Sequence, residues 1–288
     1  MGIQFFGEFL IDRWVITRGQ LIEALELQDY RNQKFGQVAV EKGLLTEEQV
    51  EQINERQKTE DKRIADLAVS MELMEEQQAR EILTFQKNNH LYLGEALLEL
   101  GHITEDILDR ELAIFTEEQS RYTIEEVSVP AGVQGADLMK VTVDLTRKMF
   151  QRVVGMLIKV GDGVLAADPQ EPAIDFHLSV AVAFEGVTPA RFVLSASSDV
   201  AVSVAGRILR EDATRESEEV VEDAFKEFCN IICGNAAAKL AQMGLHTEIA
   251  PPEPLSALPA APEGARVVVF PARLAEGGLD LRFVVPVA

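Results

Sequence analysis

Two hydrophobic periodicities divide the chain. Over the first 115 residues the pattern repeats every 29: Gly7, Gly36, Ala65 and Gly94 stand at equal spacing, followed by Trp14, Gly43, Glu72 and Gly101. Thr17, Thr46, Glu75 and Thr104 come next, and Gln28, Gln57, Gln86 and Phe115 stand near the end of each unit. A fixed period of this length marks stacked supersecondary units. In FGQVAVEKGLLTEEQVEQINERQ, Phe35, Val38 and Ala39 form the inward side of a short helix that Gly43 ends. Thr46 then caps a second helix, with Gln49 placed for a reciprocal capping pair, and Val50, Ile53 and Gln57 continue it. Each unit is therefore a helical hairpin. One hairpin cannot bury its own apolar side, so four should stack as two pairs.

The repeat is lost after residue 115, and Pro130, Gly132 and Gly135 mark a boundary. The expected organisation is a helical domain at 1–118, a connector at 119–134 and a second domain at 135–288. In the second domain Val141, Leu145, Met149 and Val153 predict a helix, although Val141–Val143 also suit a strand opening. A short strand is expected at 156–160, followed by a turn at Gly161–Gly163. The period then falls to two. IDFHLSVAVAFEG and TPARFVLSASS predict a β-hairpin turning at Gly186–Thr188, and Val200, Val204 and Ile208 predict a helix after it. Residues 245–263 are Pro-rich, and ARVVVFPARL and LDLRFVVPV read as two closing strands joined at Gly277–Gly278. The fold class predicted is an α-helical repeat domain followed by an α+β domain, whose antiparallel sheet packs long helices on one face.

The longest helix expected, Glu218–Met243, carries the candidate chemistry. Val221, Phe225, Phe228, Ile232, Ala236 and Leu240 share one stripe. Glu227 and Asn230 lie together on the other side, with Asp223 one turn before, and Gly234 and Ala238 after. An Asn in mid-helix costs up to about 0.7 kcal/mol relative to Ala, which folding does not explain. Asn235 reads as structural, bonded to a neighbouring strand or loop. Cys229 and Cys233, four apart on this helix, read as small buried hydrophobes in a reducing cytoplasm.

Composition narrows the partners. With 288 residues, 47% apolar, a formal net charge of -21 and a pI near 4.6, the chain would repel a phosphate backbone or anionic lipid over most of its surface. No signal peptide is expected at MGIQFFGEFLIDRW, and no apolar run approaches the roughly 20 residues of a membrane span. His90, His102, His177 and His246 lack the spacing of a metal site. His177 is expected on a strand face.

The repeats FGQVAVEKGLLTEEQVEQINERQ and LGEALLELGHITEDILDRELAIF resemble the MshEN-like N-terminal domain of the type II secretion and type IV pilus assembly ATPases. That resemblance implies two tandem motifs that clamp cyclic di-GMP in some members, each opening with an Arg before an apolar–Gly pair. Here the Arg positions hold Phe5, Lys34, Arg63 and Tyr92. The candidate nucleotide contacts are Lys34, Gly36, Gly43, Gln57 and Arg63, although lysine does not reproduce a stacking, bidentate arginine. The alternative is a helical platform for protein contacts or domain coupling.

EFCNIICGNA, set after an acidic helix start and the hairpin above, resembles the CheX-type chemotaxis phosphatase domain, related to CheC and FliY. DLTRKMFQRVV carries no second Glu/Asn pair, so the resemblance is to the single-site form. It implies a phosphorylated response regulator as partner, with Mg2+ and a lysine on the regulator and no cofactor on this chain. Asn230 would orient the attacking water, Glu227 would pair with the regulator's lysine, and Asp223, Gly234 and Ala238 would form the docking face. It also implies a cytoplasmic homodimer. Two other readings stand beside the phosphatase: a non-catalytic adaptor between a pilus, secretion or chemotaxis system and a regulator, and a cyclic di-GMP effector.

Overall fold

A computed structural model describes residues 4–119, 127–172, 174–274 and 277–288. The chain forms two compact units, 1–120 and 121–288. Part of the expected connector, residues 120–126, lies outside the described residues.

The first unit contains four helical hairpins: α1 (Phe6–Asp12) with α2 (Arg18–Arg31), α3 (Phe35–Glu41) with α4 (Glu47–Thr59), α5 (Ile64–Ser70) with α6 (Glu76–Asn89), and α7 (Leu93–Glu99) with α8 (Glu105–Gln119). Capping at Thr46 is reciprocal: the Gln49 N–H donates to Thr46 Oγ1 at 3.2 Å, and the Thr46 N–H donates to Gln49 Oε1 at 2.9 Å. The hairpins pair out of order. One core joins the second and third through Phe35, Val38, Ile53, Leu67 and Ile82. Another joins the first and fourth through Phe9, Leu10, Ile16, Leu97 and Ile103. The repeated Gln staples each pair. Gln28 Nε2 donates to Leu91 O at 2.8 Å, Gln57 Nε2 to Lys62 O at 3.1 Å and Gln86 Nε2 to Gln33 O at 2.8 Å.

The two repeated glycines have separate causes. A Cβ on Gly36 would lie 2.6 Å from Val50 Cγ1, and Gly7 and Gly94 meet Leu21 and Leu108 in the same way. The third hairpin has Ala65 and Ala79 at those positions, so an added methyl faces a smaller partner. The second repeated position is left-handed in all four copies, with φ of 60° at Trp14, 66° at Gly43, 58° at Glu72 and 70° at Gly101. A Cβ costs about 1 kcal/mol in that conformation, part of which glycine returns through its greater freedom when unfolded. Glu72→Gly should therefore stabilise the first unit by about 0.5 kcal/mol, read as a higher denaturant midpoint at unchanged slope.

Glu111 on α8 is buried and paired with Arg13 Nε at 2.5 Å and Arg110 Nη2 at 2.9 Å. The Arg13 bond holds its carboxyl below the usual range, against the opposing effect of burial. A carboxylate whose folded pKa is depressed contributes stability above its unfolded pKa and loses it as pH falls through the folded value. Helical signal from the first unit should thus fall on acidification below about pH 4. Glu111→Gln should flatten that part of the pH dependence while lowering stability at neutral pH. An unchanged acid limb in circular dichroism would count against this pair as its source.

In the second unit α9 (Ala136–Met149) continues into a π-helical turn, Phe150–Val154, that stops at the left-handed Gly155. Its buried Thr142 and Thr146 satisfy their hydroxyls on the carbonyls of Leu138 and Thr142. α10 spans Ser198–Leu209 and α11 spans Glu218–Gln242. Among the described residues, eight strands form one antiparallel sheet: β1 (Lys159–Val160), β2 (Val164–Leu165), β3 (Leu178–Gly186), β4 (Ala190–Ala196), β5 (Thr247–Ile249), β6 (Glu253–Pro254), β7 (Ala265–Arg273) and β8 (Gly278–Pro286). The order is β1–β7–β8–β4–β3–β5, with β2 also on β7 and β6 also on β3. Residues 127–134 join this unit: Val127 is in its core and Val133 bridges to Val287.

Alternation puts Val180, Val182, Phe184, Phe192, Leu194, Phe270, Leu281 and Phe283 into one core with the three helices. The opposite face is covered by irregular chain. Ala181 and Val193 pack there with Leu258, Leu255 and Phe176. Arg282, with 0% exposure, pairs with Asp280 and donates to Pro169 O at 2.9 Å and Glu171 O at 3.1 Å. This cover corrects two expectations. The strand predicted from Ile174 begins at Leu178, because Phe176 turns into the outer cluster. His177 is an exposed residue just before β3, not on a strand face. The strand expected at 156–160 is only Lys159–Val160, because its partner β7 ends at Arg273, opposite Lys159.

Candidate functional site

α11 is a rigid platform. Ser217 Oγ accepts the Val220 N–H at 3.4 Å, and Glu218 and Glu219 sit in the first turn, where the helix dipole favours them. Val221, Phe225, Phe228, Ile232, Ala236 and Leu240 are all buried, and the Phe228 ring meets Phe150 edge-on at 4.9 Å. Cys229 and Cys233 are buried free thiols, and burial pushes both away from the thiolate, with the adjoining Cys229 acting in the same direction on Cys233. They belong to the packing.

The opposite strip holds the predicted pair. Asp223, Glu227, Asn230 and Ala238 are exposed and Gly234 is half-buried. Among the described residues neither Glu227 nor Asn230 has a side-chain partner. A carboxylate and a carboxamide one turn apart are thus presented to solvent from a buried, capped helix. A Cβ on Gly234 would meet nothing within 4 Å, so the strip is open there. Gly234→Ala should therefore stabilise the second unit by about 1 kcal/mol through helix propensity, measured as a shift in urea midpoint. A loss of stability would show that the position is not open.

Asp223 differs from Glu227. Its Oδ1 lies 2.6 Å from Lys226 Nζ, which also approaches Glu222 Oε1 at 3.5 Å. The Asp223 carboxylate raises the Lys226 pKa, against the opposing effect of burial. Lys226 was not among the residues singled out from sequence, although its spacing of three and four from these acids is the known signal for such a pair. Asn235 is buried, and its Nδ2 donates to Ile231 O at 2.8 Å within the same helix, where residue i−4 lies directly below it.

The candidate nucleotide contacts are only partly gathered. Lys34 and Arg63 are exposed N-cap residues of α3 and α5, and Gly43 is exposed at the turn between α3 and α4. Gly36 is filled against Val50, and Gln57 is buried with its amide bonded to Lys62 O. Both therefore have a packing role that needs no ligand. Among the described residues no three His, Cys, Asp or Glu side chains converge as a metal site, and no helix is long and apolar enough to cross a membrane.

With this geometry in place, the chain compares with known proteins as follows. The family model "Chemotaxis phosphatase CheX" matches residues 178–272, a span that includes α11 and both polar residues. Solved structures of chemotaxis protein CheX from Desulfovibrio desulfuricans and Vibrio vulnificus are each 19% identical and cover 52% of this chain and 99% of their own, with a TM-score of 0.46. A CheX–CheY–BeF3–Mg2+ complex from Borrelia burgdorferi is 18% identical, with 51% and 96% covered and a TM-score of 0.40. No curated protein gives a significant match.

Proposed function

We propose that the second unit dephosphorylates the phospho-aspartate of a response regulator, with Glu227 and Asn230 as the working pair. One observation carries the reading: two polar side chains, exposed and without partners among the described residues, stand one turn apart on α11 within the span matched by the CheX family model. The reaction is attack of water on phosphorus, with the acyl oxygen leaving as the regulator's aspartate carboxylate. Such transfer depends on positioning and charge rather than on a strong base. The Asn230 carboxamide oxygen accepts a hydrogen bond from the attacking water and its nitrogen donates to a phosphoryl oxygen. Glu227 pairs with the regulator's lysine and fixes how the helix docks. Mg2+ belongs to the regulator and shields phosphoryl charge there. The first unit serves as the sensor or docking module of a cytoplasmic signalling protein. Packing already accounts for Gly36 and Gln57, so neither needs cyclic di-GMP to explain it.

The test is direct. Purified full-length protein is mixed with each phosphorylated receiver domain of the source genome, and loss of phosphate is followed. At least one regulator should decay faster than it does alone. If none does, the reading fails and a non-catalytic adaptor replaces it.

A further inference from the structure

We infer that Lys226 fixes the docking register of α11 by masking Asp223. The inference rests on the phosphatase reading above. Glu219, Asp223 and Glu227 follow at four-residue spacing, so their carboxylates form a ladder along one strip. A cation on the partner that seeks Glu227 therefore meets a similar carboxylate one turn, about 6 Å, away. Docking on Asp223 instead would shift the helix by that length and set Lys226 where Asn230 should stand. An ammonium has no acceptor for the water's hydrogen, and a displacement of that size is far outside the tolerance of an in-line attack.

The ion pair removes this ambiguity. Lys226 Nζ sits 2.6 Å from Asp223 Oδ1, with Glu222 as a second, looser partner at 3.5 Å. Glu219 lies in the first turn, where the positive end of the helix dipole engages it. Glu227 lies in mid-helix and, among the described residues, has no such compensation. An exposed pair of this kind adds little stability, so folding gives small reason to keep it. Its consequence is electrostatic: among the described residues, the carboxylate one turn from Asn230 is left without a counter-ion. Lys226 is thus a positioning residue that acts through Asp223.

Misregistered binding has a kinetic signature. A second, unproductive mode lowers kcat and KM by the same factor and leaves kcat/KM unchanged. In the full-length protein, Lys226→Ala should lower both about fivefold on a phosphorylated cognate regulator, a coupling of ordinary size for neighbouring charges. Lys226→Arg, which keeps a cation beside Asp223, should behave as wild type. Asp223→Asn in the Lys226→Ala background should restore both constants. If Lys226→Ala lowers kcat/KM and Asp223→Asn does not restore it, Lys226 is structural and the inference is overturned. No change in Lys226→Ala overturns it as well, with the phosphatase reading left standing on the wild-type curve. A wild type that does not accelerate decay removes both, and that curve tells the two failures apart.

Discussion

Arg282→Met should destabilise the second unit by about 3–5 kcal/mol, the cost of leaving a buried charge without its counterion. Arg282 and Asp280 are both buried on the face of the sheet away from the helices, and the guanidinium also holds the carbonyls of Pro169 and Glu171. Met keeps much of the length and removes every donor. The Asp280 carboxylate would then lose its pairing with Arg282, and the chain at 169–171 its anchor. Asp280→Leu alone should cost a similar amount by stranding the arginine. The double variant should recover most of the loss, because two apolar side chains of suitable size often replace a buried pair at little cost. A residual deficit of about 1 kcal/mol for each freed carbonyl bond should remain. Urea unfolding of all four proteins gives the coupling energy directly. Single variants within about 1 kcal/mol of wild type would falsify the claim that this pair organises the outer face.

Periodicity made much of the architecture legible, and the places where it failed share a cause. The 29-residue repeat predicts four hairpins because each position does a local job: Thr46 caps, Gly43 turns left-handed, Val38 points inward. That the first hairpin pairs with the fourth was not legible, since Gln28 reaching Leu91 is a contact across 63 residues with no periodic trace. The same limit applies to the sheet. Alternation identified β3 and β4, but strand readings overran at Ile174, because Asp175 and Phe176 continue an alternating pattern while tertiary contacts draw Phe176 to Leu258. Arg282 sits where alternation expects an outward, solvated residue, and only the folded chain shows what covers it. The placement of Glu227 and Asn230 on one exposed strip was legible because helix geometry alone sets two residues three apart side by side. Its neighbour Lys226 escaped notice although the same rule applies, since a lysine among acids reads as ordinary surface until its partner is known.

Asn230→Ala should lower kcat for the decay of a phosphorylated cognate regulator by about 100-fold, since a water that is no longer oriented forfeits the advantage of positioning. The change should leave KM nearly unaltered, because binding rests on the strip that remains. It should also stabilise α11 by about 0.5 kcal/mol, as Ala replaces an exposed Asn in mid-helix. This combination, a more stable protein that has lost its rate, separates a catalytic asparagine from a structural one. Glu227→Gln makes the complementary case. It keeps the shape and hydrogen bonding of the side chain and removes the charge that would meet the partner's lysine, so KM should rise about tenfold with a smaller fall in kcat. Because that contact is ionic, the wild-type advantage over Glu227→Gln should shrink as salt is raised, whereas the Asn230→Ala deficit should not. If the two variants instead show the same kcat and KM changes at every salt concentration, the division of labour between aiming and water placement is wrong, even if the helix is the docking element.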